Sequence, residues 1–183
     1  MPEAYRNRRH QGTAATCAVD TVDEVKGTSM RAVLQRVSEA TVSVLVASSP
    51  DPDYTCRIGT GLLVLLGIGK TDTVDSAKLL VEKITHLRIF ADAAGRMNLD
   101  LGQVGGSLLL VSQFTLYADT SRGRRPGFER AADPRTGRTL YELVATLLRE
   151  AGHVVETGVF GAHMQVHLVN DGPVTIVLDT DIL

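Results

Sequence analysis

Tryptophan is absent from this 183-residue chain, and aromatic residues make up only 4% of it. A broad stacking platform for single-stranded nucleic acid, which needs several aromatics along one face, is therefore excluded. Cysteine is nearly absent as well. Cys17 and Cys56 lie in segments of different character and form no CxxC or Cys/His cluster with metal spacing, so neither a disulfide framework nor a structural zinc site is expected. No apolar run approaches the roughly 18 residues of a membrane span; Leu62 to Ile68 is too short. The charge balance has no strong sign, at a formal net −2. That argues against a protein that coats nucleic acid non-specifically but leaves room for a local basic face. The expectation is a soluble cytoplasmic protein without a membrane segment or a metal.

What is present suffices for one ordinary core, since 44% of the residues are hydrophobic and the length suits a single domain. Residues 1–29 stand apart. Arg6, Arg8, Arg9 and His10 give way to small and acidic residues with neither helical nor strand period. Asp20, Asp23 and Glu24 do not fit an organellar transit peptide, and a secretory apolar region is missing. Residues 1–29 read as a disordered extension or tag, and residues 30–183 as the single folded domain.

From Arg31 the pattern is that of strands, at 31–37 and 40–46, followed by the turn-rich loop Ser48–Asp53 and a strand at 54–58 that pairs back. Leu62 to Ile68 and Leu108 to Val111 are uninterrupted aliphatic runs, as strands buried on both faces require. Gly67-Ile68-Gly69-Lys70-Thr71 is not a phosphate loop, because Val64 stands where that motif needs glycine. Thr73 is the expected N-cap of a helix whose apolar face is Ala77, Leu80, Val81, Ile84 and Leu87. Leu87–Phe90 follows as a short strand, and Asp92–Gly95 as a turn. A second helix starts at Asp133-Pro134, presents Leu140, Val144, Leu147 and Leu148, and stops at Gly152. Strands close the chain at 154–157, 163–169 and 174–179. Many antiparallel-style strands with two helices predict two sheets rolled against each other with helices on one side.

Two polar stretches interrupt this pattern. Ser112-Gln113-Phe114-Thr115-Leu116-Tyr117 follows the aliphatic run and reads as a strand with a polar edge. Asn170-Asp171-Gly172-Pro173-Val174-Thr175 is a turn between two alternating runs. A nucleophile would be Ser112, Thr115, Thr175 or Cys56, each needing a base within hydrogen-bond reach. His163 and His167 project from the polar face of their strand, so a Ser/His/Asp triad, and with it a small-molecule esterase, stays open. Thr115 is either a hydroxyl bonding across the sheet or a substrate contact. Gln113 has donors and an acceptor and can position a water or a ribose hydroxyl without a tuned pKa. Gly172-Pro173 is either a plain hairpin turn or a place where two backbone carbonyls approach a ligand closely. Phe160, beside the Gly161 turn, is a core residue or a stacking surface for an unpaired base. Met164 is core or pocket lining. Between Asp119 and Arg138, six arginines (Arg122, Arg124, Arg125, Arg130, Arg135 and Arg138) outnumber Asp119, Glu129 and Asp133. The Arg122–Pro126 loop is a phosphate-contacting patch or a solvated charged loop.

Together the Ser-Gln-Phe-Thr and Asn-Asp-Gly-Pro-Val-Thr segments resemble the paired signatures of the D-aminoacyl-tRNA deacylases, and the resemblance runs from about Met30 to Asp179. It also covers Met30–Val37, Gly61–Gly67 and Gly161–Met164. It implies an α/β fold with three helix/sheet/sheet layers, mostly antiparallel sheets rolled into an open barrel with two main helices, and a homodimer that uses no cofactor. It implies hydrolysis of the ester between a D-amino acid, or glycine, and the 3′ end of tRNA. The catalytic segment would be Ser112, Gln113, Phe114 and Thr115, with oxyanion donors among the backbone N–H groups of Gln113 to Thr115. Gly172 and Pro173, joined by a cis bond, would enter the partner subunit's site and exclude L side chains. Phe160, Met164, Arg122, Arg124 and Arg125 would contact substrate or tRNA. The rival reading is a non-catalytic tRNA- or RNA-binding module that uses the arginine loop.

Overall fold

The computed structural model describes residues 29–44 and 54–183; the expected extension at 1–29, apart from Ser29, and the Ser48–Asp53 loop lie outside them. The sheet is organised around β1 (Arg31–Val44), whose inward positions Ala32, Leu34, Val37, Ala40 and Val42 are buried. On one edge β1 pairs antiparallel with β2 (Tyr54–Ile58) through residues 40–44 and with β3 (Gly61–Gly67) through residues 31–37. Gly59-Thr60 separates β2 from β3 opposite Ser38-Glu39, where β1 is itself irregular, so the pair bends there.

Helix α1 (Val74–His86) follows, with the expected Thr73 cap in a reciprocal box with Ser76. The strand expected at Leu87–Phe90 is reduced to β4 (Phe90–Ala91), which pairs with β5 (Met97–Leu99) around the Asp92–Gly95 turn. Next come β6 (Ser107–Ser112), α2 (Pro134–Glu150) and β7 (Val154–Thr157), with β6 parallel to both β3 and β7. The α2 start is as expected: Asp133 accepts from Arg135 N (3.0 Å) and Thr136 N (3.1 Å). The two terminal runs are not a hairpin. They form one strand, β8 (Met164–Asp179), lying antiparallel along the other edge of β1.

The two expected sheets are thus two faces of one mixed sheet, curled until its ends nearly meet: Tyr54 Oη on β2 donates to Thr157 O on β7 at 3.0 Å. This open barrel with two helices is the expected fold class. Alternation along β3 and β6 divides the core in two. Leu62, Val64, Leu66, Leu108 and Leu110 pack with α1 and α2, whereas Leu63, Leu109 and Val111 pack inside the roll with Val37, Ala40, Val42, Cys56 and Ile58. Helix, sheet wall and sheet wall are the three layers. A strand buried on both faces has no polar positions, which is why these segments read as pure aliphatic runs.

Candidate active site

β6 leaves the core at Ser112, which pairs with Leu66 of β3. Gln113 N donates to Leu66 O at 2.7 Å, and the chain then turns into a single 3-10 turn, Phe114–Tyr117, in place of the polar-edged strand expected. Tyr117 is the cause. It is fully buried, its hydroxyl lies 2.5 Å from Ser29 O and 3.2 Å from Gly67 O, and the Arg31 guanidinium sits over its ring at 5.1 Å. Burial pushes its phenol pKa up, so it stays a neutral donor. Sinking this ring pulls the backbone against β3. A Cβ on Gly67 would come within 2.9 Å of the Tyr117 ring and 3.1 Å of Gln113 O, so only glycine fits there. With the hydroxyl end anchored inside, Phe114 and Thr115 are left exposed at the surface, and Gln113 Nε2 donates to Thr115 Oγ1.

The N–H groups of Phe114 and Thr115 open a 3-10 turn and so have no acceptor within it. Gln113 N–H is already committed to Leu66 O, which narrows the donors expected between Gln113 and Thr115 to two.

A pocket of about 330 Å³ opens at this point, floored by Leu66, Ile68 and Val111 and bounded by Ser112, Gln113 and Phe114 on β6 and its turn. Phe160 and Met164 also line it, as does Gly137 on α2. Six of the residues singled out in the sequence, Ser112, Gln113, Phe114, Phe160, His163 and Met164, therefore share one cavity. Thr115 does not line it but is tied to Gln113, which does. Phe160 meets Tyr141 at a tilt, 5.8 Å between ring centroids, and the Arg138 guanidinium lies over its ring at 5.1 Å. Tyr141 is itself fixed by a 2.8 Å bond from its hydroxyl to Leu110 O. Gly137 was missed because a helix glycine gives no chemical signal. Its role is spatial, since a Cβ there would stand 3.3 Å from Phe160 Cζ.

No triad is assembled. His163 lines the pocket with Ser112 but no hydrogen bond joins them, and His167 lies opposite Thr41 of β1, outside the pocket. Among the described residues no group of three or more His, Cys, Asp or Glu is arranged to hold a metal ion. The nearby loop after β3 carries one buried carboxylate, Asp72. It accepts from Gly69 N at 2.7 Å, and burial pushes its pKa up to about 6.

Gly172 and Pro173 are elsewhere. Val37 pairs with Asn170 and Gln35 with Thr175, so Asp171 to Val174 bulge out of β8 opposite Arg36 alone. This replaces the plain hairpin turn. The Gly172–Pro173 bond is cis, and Gly172 has φ +136°. Arg36 grips the bulge: Nε lies 3.0 Å from Asp171 O and 3.1 Å from its carboxylate, while Nη1 reaches Ile89 O at 2.5 Å. Asn170 closes its base, accepting from Val174 N at 2.8 Å and donating to Thr175 Oγ1 at 3.1 Å. Thr175, a candidate nucleophile, is thus part of a structural network. Gly172 and Pro173 are exposed, and Gly172 lies six positions along the chain from Val166 at the pocket, about 20 Å of extended chain.

The loop that carries Arg122, Arg124 and Arg125 is closed by Asp119 and Gly127, whose backbone groups exchange bonds of 2.8 and 2.9 Å. The three arginines are exposed and do not line the pocket. The loop adjoins it through Phe128, which meets Phe114 edge to face at 5.0 Å.

The family model described as D-Tyr-tRNA(Tyr) deacylase matches residues 33–179. A protein of Anaeromyxobacter dehalogenans named D-aminoacyl-tRNA deacylase is 56% identical over 151 residues, covering 82% of this chain and 97% of that one. One from Roseiflexus castenholzii with the same name is 57% identical over 153 residues, covering 84% and 94%. Among solved structures, one named c-Myc DNA Unwinding Element Binding Protein superposes with TM-score 0.73 at 37% identity, covering 81% of this chain and 97% of that one. A probable eukaryotic D-amino acid tRNA deacylase superposes with TM-score 0.70 at 19% identity, over 82% and 99%, a likeness of fold alone. With a match across nearly the whole folded region, and relatives of more than half identical sequence, this chain belongs to the D-Tyr-tRNA(Tyr) deacylase family.

Proposed function

We propose that this protein hydrolyses the ester linking a D-amino acid, or glycine, to the 3′-terminal ribose of tRNA, and that it does so in the cytoplasm as a homodimer without metal or organic cofactor. The observation that carries this reading is the pocket at the end of β6, where polar Ser112 and Gln113 and two uncommitted N–H groups meet an aromatic wall but no hydrogen-bonded acid–base pair. An aminoacyl ester is already labile, so positioning and oxyanion stabilisation suffice. Water adds to the ester carbonyl carbon, and the N–H groups of Phe114 and Thr115 receive the negative oxygen. Collapse expels the ribose oxygen, which takes a proton with help from the neighbouring 2′-hydroxyl. Gln113 orients the water or the ribose, Phe160 stacks on the terminal adenine, and Met164 lines its pocket. Arg122, Arg124 and Arg125 meet tRNA phosphates. Residues 30–183 act as one domain.

Chiral choice falls to Gly172 and Pro173. Their own pocket lies about 20 Å away along β8, whereas a twofold partner can present the same bulge to a second pocket. There its carbonyls hold the substrate amino group, and an L side chain collides with the turn while hydrogen or a D side chain points away.

The direct test compares release of tyrosine from D-tyrosyl- and L-tyrosyl-tRNA: turnover of the D-ester alone is expected, and equal rates on both would remove the chiral role. Mixing the impaired Gln113→Ala and Gly172→Ala proteins tests action across the dimer. Exchange should raise activity to about a quarter of wild type, because half the dimers are then mixed and each has one intact site. A site completed within one chain would leave only the average of the two variants' own activities. The nucleic-acid-binding alternative is favoured by the 37% identical neighbour, whose name is that of a DNA-binding protein; it predicts tRNA retention without turnover and indifference to both substitutions.

A further inference from the structure

Phe160 lines a second groove besides the pocket. This groove, about 300 Å³, runs from Phe160 along Arg138, Glu142, Thr146 and Arg149 of α2 to Thr157 on β7. Arg138 and Arg149 are eleven residues apart, just over three full helical turns, so they share one face of α2 about 16 Å apart along its axis. Their attachments keep them on that face. The Arg138 guanidinium lies over the Phe160 ring with Nη2 3.4 Å from Phe160 O, and Arg149 Nη2 donates to Val155 O at 3.0 Å. A guanidinium has five N–H donors, and these bonds engage one on each side chain. The acid in the groove is Glu142, 3.9 Å from Arg138, and both side chains are more than half exposed. Such a pair is weak and gives way to a stronger anion.

We propose that this groove is a binding site for the sugar-phosphate backbone of the RNA strand leading to the ester. It rests on the functional reading that the substrate is an RNA 3′-terminal ester. Arg138 takes the phosphodiester next to the terminal nucleotide, and Arg149 one further back along the strand. The placement follows from Phe160. A terminal base stacked on this ring in the pocket sets its own 5′ phosphate near the ring's edge, where the groove begins. Guanidinium groups suit that ligand because their planar fork matches two phosphate oxygens at once. Two such groups on one rigid helix face can fix the direction in which the strand leaves.

The test compares kcat/KM for D-tyrosyl-tRNA with that for 3′-O-D-tyrosyl-adenosine, which has the ester and the base but no phosphate. Arg149→Gln should lower the ratio of the two by about 5- to 10-fold, the loss of one charge-assisted contact, and make the salt dependence of the tRNA reaction shallower by about 1 in log–log slope. Arg149→Lys should keep most of the slope, which separates lost charge from a damaged helix end. Glu142→Gln should raise the ratio by roughly two- to threefold through removal of a repelling charge. An unchanged ratio and slope in both Arg149→Gln and Arg138→Gln, or an equal loss on both substrates, overturns the proposal. So does a ratio that responds only to substitution of Arg122, Arg124 and Arg125. If the wild-type protein hydrolyses neither ester, the functional reading itself fails and takes this inference with it.

Discussion

Two polar interruptions of the sheet, Ser112–Tyr117 after β6 and Asn170–Thr175 within β8, differ in what holds them and in where they face. The first is pulled inward by a buried Tyr117 and leaves a concave pocket beside it. The second is pushed outward by extra residues in one strand and gripped from below by Arg36 and Asn170, leaving a convex, exposed bulge. The bulge does not line the pocket of its own chain, so under the proposed dimer the two would act as a cavity and a knob that meet between copies. Twofold symmetry lets such surfaces satisfy each other twice.

The largest effect should come from the convex half. Gly172→Ala places a Cβ 2.7 Å from Val174 Cγ2 and 3.1 Å from Arg36 Nη2, at a φ that L residues rarely adopt. The bulge must shift, and a displacement of about 1 Å in a positioning group costs on the order of 10²-fold in rate. Steady-state deacylation of D-tyrosyl-tRNA, with circular dichroism to confirm folding, measures this; wild-type rates would mean the bulge is a passive irregularity. In the concave half, Gln113→Ala removes a side chain rather than a backbone shape. It should lower kcat by roughly 10-fold, the worth of one hydrogen bond to a reacting group, and an unaltered kcat would leave the backbone N–H groups as the sole contributors there. Phe160→Ala should act mainly on KM, by about 5- to 100-fold if one base stacks on the ring. A change confined to kcat would count against stacking.

The smallest effect is on stability and belongs to the concave side alone. The Asp72 carboxyl, displaced by burial from 3.8 to about 6, keeps its proton in the folded state where the unfolded chain has lost it. Its contribution to stability is fully present below about pH 4 and is lost as the pH rises through about 6. Urea unfolding between pH 4 and 7 should show this slope, and Asp72→Asn should flatten it by on the order of 1–2 kcal/mol. An unchanged slope in the variant would place the titrating group elsewhere.

Much of the fold was legible because its signals are local. Thr73 with Ser76 and Asp133-Pro134 announce helix starts by satisfying N–H groups within a few residues, and aliphatic runs announce strands covered on both faces. Most of the pocket was legible for a related reason, since polar Ser112 and Gln113 at the end of a buried run have no purpose in a core. What escaped notice depends on distant partners. The alternation of Ser112 to Tyr117 suits a strand, but a 3-10 turn forms because Tyr117 finds carbonyls at Ser29 and Gly67. The break at Asn170–Thr175 suits a hairpin, yet both flanking runs pair with β1, whose 14 residues are long enough to hold them end to end. Arg36 lies within the strand expected at 31–37, where nothing in the local pattern marks it as the clamp on the bulge.

By itself the sequence determined where helices begin, which strands are covered on both faces and which short segments are too polar to be core, because capping and alternation act between residues a few positions apart. Tertiary structure alone decided that the sheet curls on itself, that Gly137 and Phe160 complete the pocket, and that Gly172 lies outside it on an exposed bulge. Those outcomes depend on pairing register and side-chain packing between segments as much as 150 residues apart, and no local pattern encodes them.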